Sequence, residues 1–259
     1  MSEIELKSAR GGMLYDPSRV GKPGDHLFSR DHWRRVRGLE ERVGGRGSVL
    51  HLRAGEQRWV WRHYRRGGLV ARALGDRYLY TGASRTRGYR EYRLLMSLVE
   101  LGLPVPVPIA ARYTRSGLFF YRADLITVEL PPARTLADTI TGEELATERW
   151  QAVGATIARF HAAGVQHADL NAHNVLLAAD TSAVAEGAIF LLDFDRGRIR
   201  ERGPWESDVL ARLQRSLEKI ATQRADVCYR AEHWASLRDG YERANDTAAA
   251  ASVAVKPRP

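Results

Sequence analysis

The chain has 259 residues, of which 44% are hydrophobic, and its 40 lysine and arginine residues outnumber the 31 acidic ones to give a net charge of +9. This length is sufficient to bury a sizeable core, and the basic excess favours an anionic partner: a nucleotide, a nucleic acid or an acidic membrane surface. Cys228 is the only cysteine, which excludes an internal disulfide bond and favours a reducing compartment. The sequence has no apolar run of membrane-spanning length and no signal-peptide pattern, so we expect a cytosolic protein.

The amino-terminal half is expected to be rich in β-strands. Residues 1–24 look irregular, because pairs of glycine and proline residues interrupt them. Over residues 43–64 the pattern predicts two strands joined by a turn at Gly55-Glu56. Apolar residues at helical spacing then predict a helix over residues 88–101, which ends at Gly102.

Two more strand regions lead to the expected boundary between two lobes. A strand pair is predicted around Ser116-Gly117, and a separate strand is predicted over residues 125–130. The pair Pro131-Pro132 ends that strand, because proline cannot donate to a sheet. We therefore expect a strand-rich lobe over residues 25–130.

The carboxy-terminal half has strong helical periodicity. Apolar residues on one face predict helices over residues 148–163 and 206–220, and a last helix is expected over residues 229–244. These helices indicate a mainly helical second lobe over residues 131–245. The alanine-rich tail over residues 246–259 is expected to be disordered.

The strongest chemical signal joins a loop after the first of these helices to a second loop further along the chain. The first loop reads His167-Ala168-Asp169-Leu170-Asn171-Ala172-His173-Asn174 and runs directly into an apolar stretch. Asp193 lies nineteen residues after Asn174 and ends another apolar run. A core histidine and turn asparagines would explain single residues, but the order and spacing match the catalytic and metal loops of kinases.

Phosphoryl transfer from ATP needs positioning and charge neutralisation more than covalent chemistry. Asp169 would accept the proton of the attacking hydroxyl as the catalytic base. Asn174 and Asp193 would hold Mg²⁺ against the phosphates, because this ion prefers hard oxygen ligands. His167 would brace the loop through backbone hydrogen bonds rather than act on the substrate.

The amino-terminal half offers weaker matches to the rest of a nucleotide site. Gly45 and Gly47 belong to a glycine cluster that can cover phosphates through its backbone, although an ordinary hairpin turn explains the cluster equally well. Arg62 occupies the strand position where a kinase has a phosphate-binding lysine, and Glu91 is its natural acidic partner. The alternative interpretation of that pair is a surface strand residue and a solvated helix face.

Together, these residues resemble the 3-deoxy-D-manno-octulosonic acid (Kdo) kinase family of Gram-negative bacteria, which is related to the heptose kinases of the lipopolysaccharide core. The resemblance is carried by residues 62–68, 90–92, 164–174 and 192–197. It implies an α+β, bilobal protein-kinase-like fold, with nucleotide phosphates bound in a small β-rich amino-terminal lobe and the catalytic and metal loops in a mainly helical carboxy-terminal lobe.

The resemblance implies ATP-dependent phosphorylation of the 4-hydroxyl of Kdo on a Kdo–lipid A precursor. By position, Asp169 would be the base, Asn174 and Asp193 would bind Mg²⁺, and Arg62 with Glu91 would orient the phosphates. The enzyme would be peripheral on the cytoplasmic face of the inner membrane. Its partners would be an anionic glycolipid and an anionic lipid surface, and no nucleic acid is expected.

Two departures from the protein-kinase pattern suggest constitutive activity. Asp195 replaces the glycine that follows Asp-Phe, which leaves open whether the metal loop switches. Ala168 replaces the arginine that reads a phosphorylated activation loop.

Two alternatives to a Kdo kinase stay open. One is a kinase-like enzyme that acts on heptose, an aminoglycoside or a protein. The other is a non-catalytic basic module, such as a nucleic-acid-binding pseudokinase.

The dense arginines over residues 62–93 fit an anionic membrane, where Trp33, Trp59 and Trp61 would either contact the interface or pack in the core.

Overall fold

The computed structural model describes residues 3–40, 49–65, 75–179 and 189–254, which fall into two compact units. The first unit comprises Met1–Glu100 and Pro106–Leu130, and the second comprises Leu101–Val105 and Pro131–Pro259. The division after Leu130 falls at the proline pair where the lobe boundary is expected.

The first unit is built on an antiparallel sheet. In the described residues eight strands join in the order β1-β2-β7-β8-β5-β4-β3, with β6 paired to β8. The strands are β1 (Ile4–Ser8), β2 (Gly11–Tyr15), β3 (Leu39–Glu40), β4 (Val49–Ala54), β5 (Gln57–His63), β6 (Tyr78–Leu79), β7 (Pro108–Ser116) and β8 (Phe120–Val128). The turn between β4 and β5 lies at Gly55-Glu56, as the sequence predicts.

The amino-terminal hairpin corrects the prediction that residues 1–24 are irregular. Strands β1 and β2 pair with each other, and β2 extends the sheet beside β7. Gly11 does not break this strand. A β-carbon at that position would overlap the carbonyl oxygen of Tyr113, so the glycine permits a close approach of neighbouring strands.

Strand β8 also differs from the sequence prediction, which divided it into two strands. The region is one continuous strand that contains the buried residue Asp124. The strand continues through a carboxylate because the side chain of Asp124 is hydrogen-bonded within the unit.

Two helices of the first unit contact its sheet. Helix α1 (Arg30–Arg35) contacts β3 and is capped by Ser29, whose hydroxyl accepts from the backbone N–H of His32. Helix α2 (Arg87–Glu100) packs against β7 and β8. Trp33, Trp59 and Trp61 belong to the hydrophobic core, so they are packed aromatic residues rather than interfacial ones.

The second unit is mainly helical. Its strands are β9 (Ala133–Thr135), β10 (Val165–Gln166), β11 (Val175–Ala178), β12 (Ile189–Leu191) and β13 (Arg198–Ile199), and its helices are α3 (Leu136–Thr139), α4 (Thr147–Ala162), α5 (Trp205–Gln223) and α6 (Ala231–Ala254). Helices α4 and α5 lie within a few residues of their predicted bounds.

Helices α4 and α6 pack against each other at glycine. A β-carbon at Gly154 would overlap the carbonyl oxygen of Leu237, and one at Gly240 would overlap that of Gln151. The two helices therefore approach to backbone contact at these positions.

Part of the carboxy-terminal tail differs from the prediction of disorder over residues 246–259. Helix α6 continues to Ala254, and residues 255–259 lie outside the described residues. The alanines that make this segment poor in polar and aromatic residues also have the highest helix propensity, so they extend a helix that packing has already started. Among the described residues, no helix is both long and apolar enough to cross a membrane.

Candidate active site

A β-hairpin in the second unit brings the two chemically distinctive loops to the same end. Strand β11 begins at Val175 and pairs antiparallel with β12, in which Leu191 lies opposite Val175. Asn174 immediately precedes the first strand, and Leu192 immediately follows the second. The backbone N–H of Leu192 donates to the carbonyl of Asn174 at 2.9 Å, which continues the pairing into the loops.

One buried imidazole ties these loops together a second time. The Nε2 atom of His167 lies 2.8 Å from the carbonyl oxygen of Leu192, and its Nδ1 atom accepts from the backbone N–H of Asp169 at 3.1 Å. This pattern requires a neutral ring with its proton on Nε2. Burial lowers the pKa of His167 and so favours that neutral form. The histidine predicted to brace the loop makes two backbone hydrogen bonds.

The first loop, residues 167–174, holds its own backbone through side-chain hydrogen bonds and presents a carboxylate to solvent. The side-chain amides of Asn171 and Asn174 both donate to the carbonyl oxygen of Asp169, at 2.9 and 3.0 Å. The carboxylate of Asp169 is 65% exposed and therefore accessible to a substrate. One Asp169 oxygen lies 3.3 Å from a guanidinium nitrogen of Arg212 on α5.

The contact of Arg212 with the predicted base was not predicted from the sequence. Helical periodicity places Val209, Leu213 and Leu217 on the buried face of α5 and leaves Arg212 on the exposed face. The contact with Asp169 spans 43 residues of sequence. Only the tertiary fold distinguishes this arginine from the many others on the surface.

The second loop places an exposed acid beside a buried aromatic ring. Asp193 has a left-handed backbone with φ of +64°, which costs energy for a residue other than glycine but is tolerated by aspartate better than by most. The next residue, Phe194, is buried and stacks on Phe160 of α4 with centroids 5.7 Å apart. The centroid of the Phe194 ring also lies 4.7 Å from that of the His167 ring. The packing of Phe194 therefore holds the backbone of the preceding residue, Asp193, in place.

The donor atoms in these loops suit a magnesium ion that also binds phosphates. Because the side-chain nitrogen of Asn174 donates to Asp169, the amide oxygen is the atom left to face a cation. Across the described ranges no group of three or more His, Cys, Asp or Glu side chains is arranged for a metal. The fit to Mg²⁺ rests on the donor atoms, since this ion prefers hard oxygen ligands such as an amide oxygen and a carboxylate and commonly takes one or two of them from the protein.

The first unit contains the predicted pair between a strand arginine and a helix glutamate. Arg62 on β5 lies 2.5 Å from the carboxylate of Glu91 on α2, and Glu91 is 2% exposed. The hydroxyl of Tyr64 donates to the same carboxylate at 2.6 Å, and the guanidinium of Arg62 stacks 4.7 Å from the Tyr64 ring centroid. The structure therefore brings these two predicted residues together. Gly45 and Gly47 lie outside the described residues.

A charge network around the buried carboxylate of Asp124 was not predicted. The carboxylate of Asp124 accepts from the indole of Trp61 at 3.0 Å and from Arg112 at 3.0 Å, and it lies 2.8 Å from Nδ1 of His63. The other nitrogen of His63 lies 2.9 Å from the carboxylate of Asp76. The hydrogen bond to Asp124 raises the pKa of His63, so the stability that the charged ring contributes is lost as pH rises through this raised pKa.

A family model and individual relatives of this chain carry matching descriptions. The model of the lipopolysaccharide kinase (Kdo/WaaP) family matches residues 28–234. A protein named 3-deoxy-D-manno-octulosonic acid kinase from Stenotrophomonas maltophilia (strain K279a) is 42% identical over 240 residues, which is 90% of each chain. One of the same name from Xanthomonas campestris pv. campestris (strain B100) is 44% identical over 218 residues, 83% of each chain.

A solved structure supports the fold. The structure described as WaaP in complex with acyl carrier protein superposes with a TM-score of 0.51 at 17% identity, covering 86% of this chain and 87% of that one. At this level of identity the likeness concerns the fold alone.

Proposed function

Because this chain belongs to the lipopolysaccharide kinase (Kdo/WaaP) family, we propose that it transfers the γ-phosphate of ATP to the 4-hydroxyl of Kdo on a Kdo–lipid A precursor. The observation that supports the proposal most directly is the hydrogen bonding of His167. Its ring contacts the backbone of Asp169 on one side and the carbonyl that precedes Asp193 on the other. The proposed base and the proposed metal ligand are therefore anchored to the same rigid group.

The reaction assigns a proton acceptor to the catalytic loop. The acceptor hydroxyl oxygen attacks the γ-phosphorus, its proton passes to the carboxylate of Asp169, and the bond to the oxygen bridging the β- and γ-phosphates breaks to release ADP. The backbone of Asp169 is held by two asparagine amides and the imidazole of His167, so the carboxylate is pre-positioned. Arg212 orients the same carboxylate from helix α5.

Mg²⁺ would be held by Asn174 and Asp193. When bound, the ion neutralises charge on the β- and γ-phosphates. The residues' own contribution is the fixed position of their oxygen atoms. The Asn174 amide is oriented by its hydrogen bond to Asp169, and the Asp193 backbone is anchored by the buried Phe194.

Arg62 would bind nucleotide phosphate while Glu91 fixes its direction. A guanidinium can fork toward two phosphate oxygens and remains charged at every physiological pH. Tyr64 shares the carboxylate of Glu91 and stacks on Arg62, so the arginine is confined from two sides. Gly45 and Gly47 remain the proposed phosphate-covering residues.

An acceptor that is an anionic glycolipid places the substrate in a membrane. We expect the chain to act as a peripheral protein on the cytoplasmic face of the inner membrane, and its net charge of +9 suits an anionic lipid surface.

Mass spectrometry of Kdo–lipid IVA after incubation with protein and Mg-ATP tests the acceptor. We expect a gain of one phosphate on the sugar, and none with Asp169→Asn. Asp208→Asn, which removes an exposed carboxylate from helix α5, serves as the matched control and should retain activity. Phosphorylation of a heptose or aminoglycoside acceptor in place of Kdo would overturn the assignment of the substrate but retain the phosphotransferase.

A further inference from the structure

The hairpin between β7 and β8 ends in large apolar side chains that face solvent. Leu118 is 79% exposed and Phe119 is 66% exposed, and Leu79 on the adjacent strand β6 is 60% exposed. These are the three most exposed large hydrophobic residues in the part of the chain that the structure describes. Leu79 lies opposite Phe120 in the sheet, and the N–H of Tyr80 donates to the carbonyl of Phe119, so the three belong to one surface.

This surface, which we call the apolar tip and define as Leu79, Leu118 and Phe119, is held by ordered structure. Strand pairing continues up to Ser116 and Phe120, directly below the turn. The guanidinium of Arg115 donates to the carbonyl of Leu118 and stacks on the ring of Tyr80 at 3.9 Å from its centroid. The exposed side chains are therefore presented by a built turn rather than by a frayed loop.

Basic residues surround the apolar tip. The backbone N–H of Arg115 donates to the carbonyl of Arg10 at 2.6 Å, which joins the turn of the β1–β2 hairpin to the same end of the sheet. Arg77 lies over the ring of Phe120, and Arg122 on β8 is 50% exposed. The carboxylate of Asp76 is paired with Arg122 at 2.8 Å and with His63, so its negative charge is balanced locally.

We propose that the apolar tip inserts into an anionic lipid bilayer while the surrounding arginines contact lipid phosphates. Leucine and phenylalanine gain free energy in the acyl region, and each cation beside the surface adds attraction to acidic lipids. A hairpin turn and adjacent strand with three exposed apolar side chains suit insertion better than a protein interface, which needs about 800 Å² on each partner. The inference extends the proposed action on a membrane glycolipid, and it names the surface that reaches the membrane.

Liposome flotation with the full chain tests this surface without ATP or acceptor. Vesicles of phosphatidylcholine with phosphatidylglycerol should bind the wild type, and vesicles of phosphatidylcholine alone should bind it weakly. We expect Leu118→Ser with Phe119→Ser to lower the partition coefficient at least about tenfold. Leu101→Ser, which alters a leucine of 52% exposure in the second unit, is the control and should leave binding unchanged.

A fluorescent probe separates insertion from surface attraction. Cys228 is the only cysteine, so Cys228→Ser with Leu118→Cys allows a single environment-sensitive label at the tip. Anionic vesicles should shift its emission to the blue, and a label at Leu101→Cys should not respond. Binding that persists in the double serine variant, or a label at position 118 that stays in water, would overturn the proposal and would instead indicate electrostatic adsorption or a protein partner. Loss of phosphotransfer in Asp169→Asn bears only on the proposed reaction, so the two can fail separately.

Discussion

A guanidinium nitrogen of Arg212 lies 3.3 Å from the carboxylate of Asp169. Both side chains are at least half exposed, so the pair contributes at most about 1 kcal/mol to the stability of the fold. Its significance is geometric, because it links helix α5 to the residue proposed as the base. We therefore propose that Arg212 orients this carboxylate from helix α5.

Arg212→Ala should therefore reduce kcat about tenfold while leaving the thermal unfolding midpoint unchanged, since orientation rather than stability is lost. Arg212→Lys should recover part of the rate because it restores a cation. Arg215→Ala removes an exposed arginine from the same helix and is the matched control. Steady-state kinetics with Kdo–lipid IVA measure the effect, and a normal kcat in Arg212→Ala would remove the residue from the site.

Asp193→Asn should raise the Mg²⁺ concentration needed for half-maximal activity at least about tenfold, because a charged oxygen ligand becomes neutral. Asparagine tolerates the left-handed backbone found at this position, so the loop should keep its shape. A magnesium titration of activity gives the measurement, with Glu201→Gln as an exposed acidic control. An unchanged magnesium requirement would argue against this ligand.

The pair between Arg62 and Glu91 calls for a double variant. Arg62→Ala alone would leave a buried carboxylate without its cation and would destabilise the first unit by about 3 kcal/mol or more. Arg62→Ala with Glu91→Gln removes both charges. We expect this variant to fold but to raise the KM for ATP at least about tenfold, since a phosphate contact is lost.

Arg62→Lys should lie between the double variant and the wild type in its KM for ATP. Arg58→Ala alters an exposed arginine on the same strand and should behave like the wild type. If the double variant has a normal KM for ATP, the ion pair serves the fold and not the nucleotide.

His161 should make the protein less stable in mild acid. Burial lowers the pKa of His161 from 6.5 to about 4, and its Nδ1 atom lies 2.9 Å from the hydroxyl of Tyr241. Below pH 6.5 His161 becomes protonated in the unfolded chain, whereas in the folded protein it stays neutral until the pH falls to about 4. The free energy of unfolding should therefore fall by about 3 kcal/mol across this window.

Urea denaturation at pH 7 and pH 4 measures this loss, and His161→Gln isolates it from the titration of other groups. The variant should lose clearly less stability between the two pH values than the wild type, because glutamine takes up no proton. An equal loss in both proteins would show that His161 does not titrate differently in the two states.

The sequence predicted those features that depend on local periodicity or on ordered motifs. Helices α4 and α5 follow from apolar residues at helical spacing, and the turn at Gly55-Glu56 follows from turn chemistry. The contact between Arg62 and Glu91 was expected because the position of each in its element matched a known pattern. Such signals are contained in short stretches of the chain.

The features that the sequence did not reveal depend on contacts between distant residues. From the sequence alone, Gly11 is expected to interrupt a strand, because its close approach to Tyr113 is visible only in the fold. The network around Asp124 exists because the strand register places His63 and Arg112 opposite it. Arg212 differs from other exposed arginines only because the packing of helix α5 brings it to Asp169. Tertiary register, rather than composition, decides which of these side chains has a partner.

The contact between helices α4 and α6 limits how this fold can diverge. Glycine inside a helix costs about 1 kcal/mol relative to alanine, but at positions 154 and 240 it permits a backbone contact that a β-carbon would block. Alanine, which ordinarily strengthens a helix, would here push the two helices apart. Substitutions on the outer faces of the two helices do not meet this limit. A larger residue at position 154 or 240 fits only if the opposite helix moves away.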